Sequence, residues 1–169
     1  MKMKVAVMVL ALLLVPAVMA MAQAPGNIYD TLKAAGNFKT LVAALDKANI
    51  KELKAMQGPF TCFAPTDDAW AKLPKQTYDR IMADDQILKN ILYYHIVPGL
   101  YMAKDLPALK QCKTLCPTTE AEILTFQQAG GDVMVVNAKI IQPDMKASNG
   151  VAHGIDTVLM PKFAPPKIP

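Results

Sequence analysis

Serine occurs once in this 169-residue chain, histidine twice and cysteine three times, and these scarcities dispose of most catalytic chemistries. The single serine, Ser148, has no Gly-x-Ser-x-Gly around it, so a nucleophile elbow is absent. His95 and His153 stand 58 positions apart with no HxH or HExxH pairing, too few donors for a zinc site. No glycine-rich loop is there to cradle a phosphate. Charge is sparse as well: 18 Lys and Arg against 14 Asp and Glu leave a net +4 on scattered lysines, which is no electrostatic footprint for nucleic acid. The adjacent acids Asp67-Asp68 and Asp84-Asp85 point in different directions on a helix, and they read as helix starts instead of an acid/base pair. The residues call for no cofactor and no metal, and they describe no enzyme.

What the chain does have is apolar residues, 53% of the total, with a dense run at the N-terminus. Lys2 and Lys4 lead into Val5 to Val18, an uncharged stretch rich in Leu, Val and Ala. Ala20-Met21-Ala22 then puts small residues where a signal peptidase reads. The run is short of the roughly 20 residues that a spanning helix needs, and Pro16 interrupts it. Residues 1–22 are therefore expected to be a cleaved secretory signal, and no cysteine lies near the cut to carry a lipid. Its removal takes two lysines and five of the 11 methionines, leaving 147 residues and a net charge of +2. That length suits one domain with a real core, and no later apolar run is long enough to cross a membrane.

Export puts the cysteines in an oxidising setting, where three thiols cannot all pair within one chain. Cys62 lies in a strand-like segment and reads as a small core hydrophobe. Cys112 and Cys116 would have Cα atoms about 13 Å apart in an extended strand, too far to bridge, whereas a loop could join them. Cys112–Cys116 across a loop is the preferred pairing, with an intermolecular bond from a leftover thiol as the alternative.

The first half of the mature chain is helical in pattern. Asn27 and Asp30 suit a helix start, Ile28 and Leu32 share a face, and Gly36 suits a stop. Asn37 is placed to cap a second helix carrying Phe38, Leu41, Val42 and Leu45 at the helical period. Gly58-Pro59 breaks the chain before a strand over Phe60 to Ala64. Thr66 then caps a helix with Asp67 and Asp68 in its first turn. Further helices are expected from Lys75 to Met82 and along Ile87, Leu88, Ile91, Leu92 and His95. After the Pro98-Gly99 turn come strands: Ile123 to Gln127 and Val133 to Val136 around a Gly130-Gly131 hairpin, then Lys139 to Gln142 and Val151 to Leu159. Helices first and strands later argue for an α+β domain with helices packed on an antiparallel or mixed sheet. Residues 162–169 read as a Pro-rich extended tail.

Three segments carry a family resemblance. Phe60-Thr-Cys-Phe-Ala-Pro-Thr-Asp-Asp-Ala-Trp70 resembles the first signature block of the fasciclin family, and Tyr94-His95-Ile96-Val97-Pro98-Gly99 its central Tyr-His motif. Ala147-Ser-Asn-Gly-Val-Ala-His-Gly-Ile-Asp-Thr-Val-Leu-Met-Pro161 is similar to the closing block. All three stand in the family's order, and the likeness covers nearly all of residues 27–161. It implies a fasciclin-like domain over residues 23–161: a wedge of two small β-sheets with several helices packed around it. Trp70 stands where the family commonly has Phe, and Ala152 and Gly154 where bulky aliphatics are usual.

The resemblance also bears on function. It implies a secreted or envelope-associated interaction or adhesion module that binds a cell-surface or matrix protein or glycan, located in the periplasm, at the surface or beyond. Tyr94 and His95 belong to a segment linked to adhesive contacts in some animal members, although both histidines of this chain also suit a buried structural role. Pro143-Asp144-Met145 resembles a short Asp-containing motif that animal relatives present to integrins, while Asp144 equally suits the start of a turn before Ser148-Asn149-Gly150. Strand alternation puts Ala152 and Gly154 on one face with few side-chain atoms. A neighbour fills that space, or it forms a groove for an apolar ligand. The alternative function is an extracytoplasmic carrier of a small apolar molecule, and the resemblance implies a carotenoid-type pigment as one such ligand.

Overall fold

The computed structural model describes residues 26–54, 58–117 and 123–161; the expected signal (1–22) and tail (162–169) lie outside the described residues. Helix α1 (Ile28–Ala35) begins at Asn27, whose side-chain oxygen accepts the Asp30 N–H at 2.9 Å, and it ends at Gly36 with φ of 80°. Both ends are set by residues within one turn of the helix. Helix α2 (Lys39–Ala48) is different. Asn37 does not cap it; the carboxylate of Asp67 accepts the N–H groups of Lys39 (3.3 Å) and Thr40 (2.7 Å), and Asp67 N–H donates to the Asn37 carbonyl at 2.9 Å. A charge from another helix satisfies two amides that a helix start leaves without intrahelical acceptors.

Helix α3 (Asp67–Ala71) is capped by Thr66, as its sequence requires, and α4 (Lys75–Ala83) follows after Pro74. Asp84 caps α5 (Asp85–Tyr94) by accepting the Gln86 and Ile87 amides. A four-residue helix, α6 (Leu106–Leu109), lies beyond the Pro98-Gly99 turn, where the sequence pattern gave no element.

The strands of the described residues are β1 (Phe60–Pro65), β2 (Ile96–Pro98), β3 (Gln111–Lys113), β4 (Ile123–Ala129), β5 (Asp132–Val135), β6 (Ala138–Ala147) and β7 (Gly150–Ile155). They run in the order β2-β1-β7-β6-β5-β4-β3, with β1 and β7 parallel and the other pairs antiparallel. Strand β6 extends five residues past its expected end at Gln142. Register shifts between Ile140 and Gln142 and between Gln142 and Met145 bend it, so that one half completes β2-β1-β7 and the other continues into β5-β4-β3. The Leu115 N–H meets the Ile96 carbonyl at 2.8 Å, which brings the two outer strands together and nearly closes the sheet on itself. Strand β7 stops at Ile155, short of the expected Leu159, because Asp156 turns back to accept the Lys139 N–H at 2.9 Å.

Strands β1 and β7 are buried on both faces. Cys62, Ala64 and Ala152 face a core built with Ile28, Phe38, Leu45, Trp70 and Leu88 from the helices. Phe63 and Ile155 face a second core with Leu106, Leu124, Phe126 and Val135. Alternation along a strand makes one strand serve two cores. The α+β expectation holds: α1 to α5 pack on one side of a mixed sheet, and α6 lends Leu106 to the core on the other.

Candidate interaction site

The Tyr94-His95 pair sits where α5 ends. The His95 ring is 1% exposed; its Nδ1–H donates to the Ile91 carbonyl at 2.7 Å and its Nε2 accepts the Leu159 N–H at 3.0 Å. Both nitrogens are used, which defines the neutral Nδ1–H tautomer. Burial without a charged partner lowers the pKa from 6.5 to about 4, despite the Ile91 carbonyl acting the other way. Tyr94, 7% exposed, packs into the second core and donates its hydroxyl to the Ile123 carbonyl at 3.3 Å. Tyr94 ties the end of α5 to β4, and His95 ties it to the segment that follows β7.

His153 is wholly buried and anchors a surface loop, residues 99–105. Its Nε2–H donates to the Tyr101 carbonyl at 2.8 Å, and its Nδ1 accepts the Asp144 N–H at 3.0 Å. The Asp144 carboxylate in turn accepts the Ala103 N–H at 2.9 Å. On the other side of the loop, Thr61 donates its hydroxyl to the Gly99 carbonyl at 2.8 Å and accepts the Tyr101 N–H at 3.0 Å. Gly99, at φ of 111°, is held under Tyr101: a Cβ there would lie 2.8 Å from the tyrosine ring. Asp144 does not begin a turn. It sits within β6 at φ of 58°, in the irregular stretch between Gln142 and Met145, and Met145 packs half-buried on the first core.

The loop forms one wall of a cleft of about 410 Å³, together with Gly58, Pro59, Lys146 and the turn from Ala147 to Gly150. Leu100 and Met102 line it, and Leu100 is 55% exposed. The opposite wall is rigid. Buried Asn149 accepts the Ile28 N–H at 2.8 Å and donates to the Leu53 carbonyl at 3.2 Å. A Cβ on Gly58 would lie 2.3 Å from the Asn149 carbonyl oxygen, and one on Gly150 1.9 Å from that of Phe60. Apolar side chains, main-chain groups and one lysine suit the cleft to non-covalent contact. Its walls join three segments far apart in sequence, and in sequence only the Asn149-Gly150 turn and the Gly58-Pro59 break are visible.

The remaining site expectations are placed as follows. Ala152 is buried within the first core, and the space above Gly154 is taken by Phe38 and Gln142, whose atoms would lie 3.1 and 2.8 Å from a Cβ added there. The face with few side-chain atoms is thus filled by neighbours. The structure holds the three cysteines as thiols. Burial pushes the Cys62 thiol up to about 12. Cys112 and Cys116 both pack on the second core, and the chain leaves the extended conformation between them, with the Thr114 hydroxyl accepting the Cys116 N–H at 3.2 Å. Among the described residues no group of three His, Cys, Asp or Glu could hold a metal ion, and no helix is long and apolar enough to cross a membrane.

Comparison with known proteins agrees with this architecture. The family model for the Fasciclin domain matches residues 36–161. Protein sll1483 of Synechocystis is 42% identical over 133 residues, covering 76% of this chain and 71% of that protein. Cell surface glycolipoprotein MPB83 of Mycobacterium bovis is 36% identical over 104 residues, covering 62% of this chain and 44% of its own length. A FAS1 domain pair from the insect cell adhesion molecule fasciclin I superposes with a TM-score of 0.67 at 17% identity, over 83% of this chain and 52% of that one.

Proposed function

Because this chain belongs to the fasciclin domain family, we propose that it is a non-enzymatic interaction and adhesion module working outside the cytoplasm, docking a cell-surface or matrix protein or glycan in the cleft beside the 99–105 loop. The membership carries the general reading, since the family's relatives include a cell-surface glycolipoprotein. One observation carries the site: Leu100 is 55% exposed on a loop clamped by Thr61, His153 and Asp144. A main chain held this firmly presents an apolar side chain without the ordering cost that a loose loop would meet on binding. The near-closed sheet argues for side-chain contact over strand addition, because β2 and β3 meet through Leu115 and Ile96. In this reading Asp144 clasps the loop that lines the cleft, while Met145, Tyr94 and His95 belong to the scaffold.

Export by the segment 1–22 and pairing of Cys112 with Cys116 belong to the same proposal. The exported protein would begin at Gln23, with a mass two hydrogens below that of the three-thiol form. The site is tested by binding the purified protein to native envelope or matrix preparations, with Leu100→Asp and Met102→Asp compared with wild type. A loss of at least about tenfold with unchanged thermal unfolding is expected from placing a charge in an apolar contact. Equal binding by both folded variants would move the site elsewhere.

A further inference from the structure

We infer that the 99–105 loop is held by an acid-operated latch, in which protonation of His153 draws the Asp144 carboxylate away from Ala103 and releases the wall of the cleft. The latch is a property of the loop and stands whether or not the cleft receives a partner. At present the His153 Nδ1 is an acceptor, facing the Asp144 N–H at 3.0 Å. A proton on Nδ1 would set two donors against each other at that distance, so one of them must move. The nearest acceptor is already beside the ring: Asp144 Oδ1 lies 3.7 Å from Nδ1. That oxygen is the one holding the Ala103 N–H. When it turns to the imidazolium, the new bond is charge-assisted and stronger than the one it replaces, and the loop loses its clasp at Ala103.

The surroundings of His153 leave this exchange as the available response. β6 contributes the Asp144 carboxylate, the charged group among the described residues that acts on the ring. The loop contributes the Tyr101 carbonyl, which keeps its bond from Nε2–H in either protonation state. From β1 comes the uncharged ring of Phe63, stacked at 5.6 Å, and the adjacent β7 residues are Ala152 and Gly154. His95 is the internal contrast. It is equally buried and equally satisfied, but its partners are two main-chain groups with no carboxylate alongside, so its protonation has no second arrangement to reach. Asp144 also occupies a left-handed backbone conformation, at φ of 58°, in an irregular part of β6, where the strand's regular pairing does not hold it. Desolvation keeps the His153 ring less basic than an ordinary histidine, although the Tyr101 carbonyl and Asp144 pull the other way. The latch is therefore closed at neutral pH and opens in the acidic range below the ordinary histidine value.

The test is an NMR titration of the whole exported protein from pH 7 to pH 4, following the His153 imidazole and the amide protection factors of residues 100–103. At least tenfold loss of protection at Ala103 is expected with the midpoint of the His153 titration, over and above the gradual loss that the core amides of β1 and β7 show as global stability falls. Asp144→Asn keeps an oxygen for Ala103 and removes the charge, so loop protection should then persist to lower pH and the His153 midpoint should fall. His153 titrating with no change at Ala103 would overturn the latch. So would a loss at Ala103 that only matches the loss at the core amides, or an Asp144→Asn variant whose loop midpoint equals that of wild type.

Discussion

Acid should weaken this protein through His95 before it touches most of its carboxylates, and the size of the effect follows from the ring's surroundings. In the unfolded chain the imidazole takes a proton near 6.5; in the fold, burial holds that value at about 4. Between those two values the unfolded state binds a proton that the native state refuses, so stability rises with pH there. The contribution is complete above about 6.5, declines as pH falls, and is exhausted below about 4. At 1.36 kcal/mol per pH unit the gap amounts to roughly 3 kcal/mol, a large share of a total that for domains of this size is about 5–15 kcal/mol. His153, also lowered by burial, adds loss in the same direction. Asp67 falls outside the window: its desolvation is outweighed by the Thr40 and Lys39 amides, which hold it below the ordinary carboxylate range. Urea denaturation at pH 7, 6, 5 and 4 measures the slope for wild type and for His95→Gln. The variant, although less stable at pH 7, should lose about 3 kcal/mol less across the series. Imidazole NMR should show His95 as the Nδ1–H tautomer with a midpoint near 4. A midpoint near 6.5, or the same pH slope in His95→Gln, would refute the argument.

Two further outcomes follow from close approaches and caps. Gly150→Ala would place a Cβ 1.9 Å from the Phe60 carbonyl oxygen on the parallel neighbour strand; the backbone must move, and a loss of about 3 kcal/mol or more in urea unfolding is expected. Asp67→Ala leaves the Lys39 and Thr40 amides without their acceptor and should cost about 1–2 kcal/mol, with Asp67→Asn recovering part of it; an unchanged urea midpoint would show that water caps α2 equally well.

Legibility in the sequence tracked the distance over which each interaction acts. Both ends of α1 could be read because Asn27 and Gly36 lie within four residues of the groups they serve, and the Gly130-Gly131 hairpin because two left-handed glycines make it locally, at φ of 58° and 93°. The cap of α2 could not, because Asp67 stands 28 residues beyond Lys39. The small residues at 152 and 154 announced a face with few side-chain atoms, but Phe38 and Gln142 arrive on it from elsewhere. Asp144 looked like a turn residue and became an irregularity in β6, because its N–H meets a histidine nine positions away on the next strand.

By itself the sequence determined the family, the α+β class, the helix caps made by neighbouring residues and the scarcity of catalytic groups, all of which depend on residue identity and short-range pattern. The tertiary structure decided that β1 and β7 lie parallel between the two cores, that both histidines are neutral and in opposite tautomers, and that residues 58–59, 100–102 and 146–150 meet around one cleft. Those outcomes rest on which distant main-chain group happens to face each side chain, and only the closed fold brings such groups within hydrogen-bonding distance.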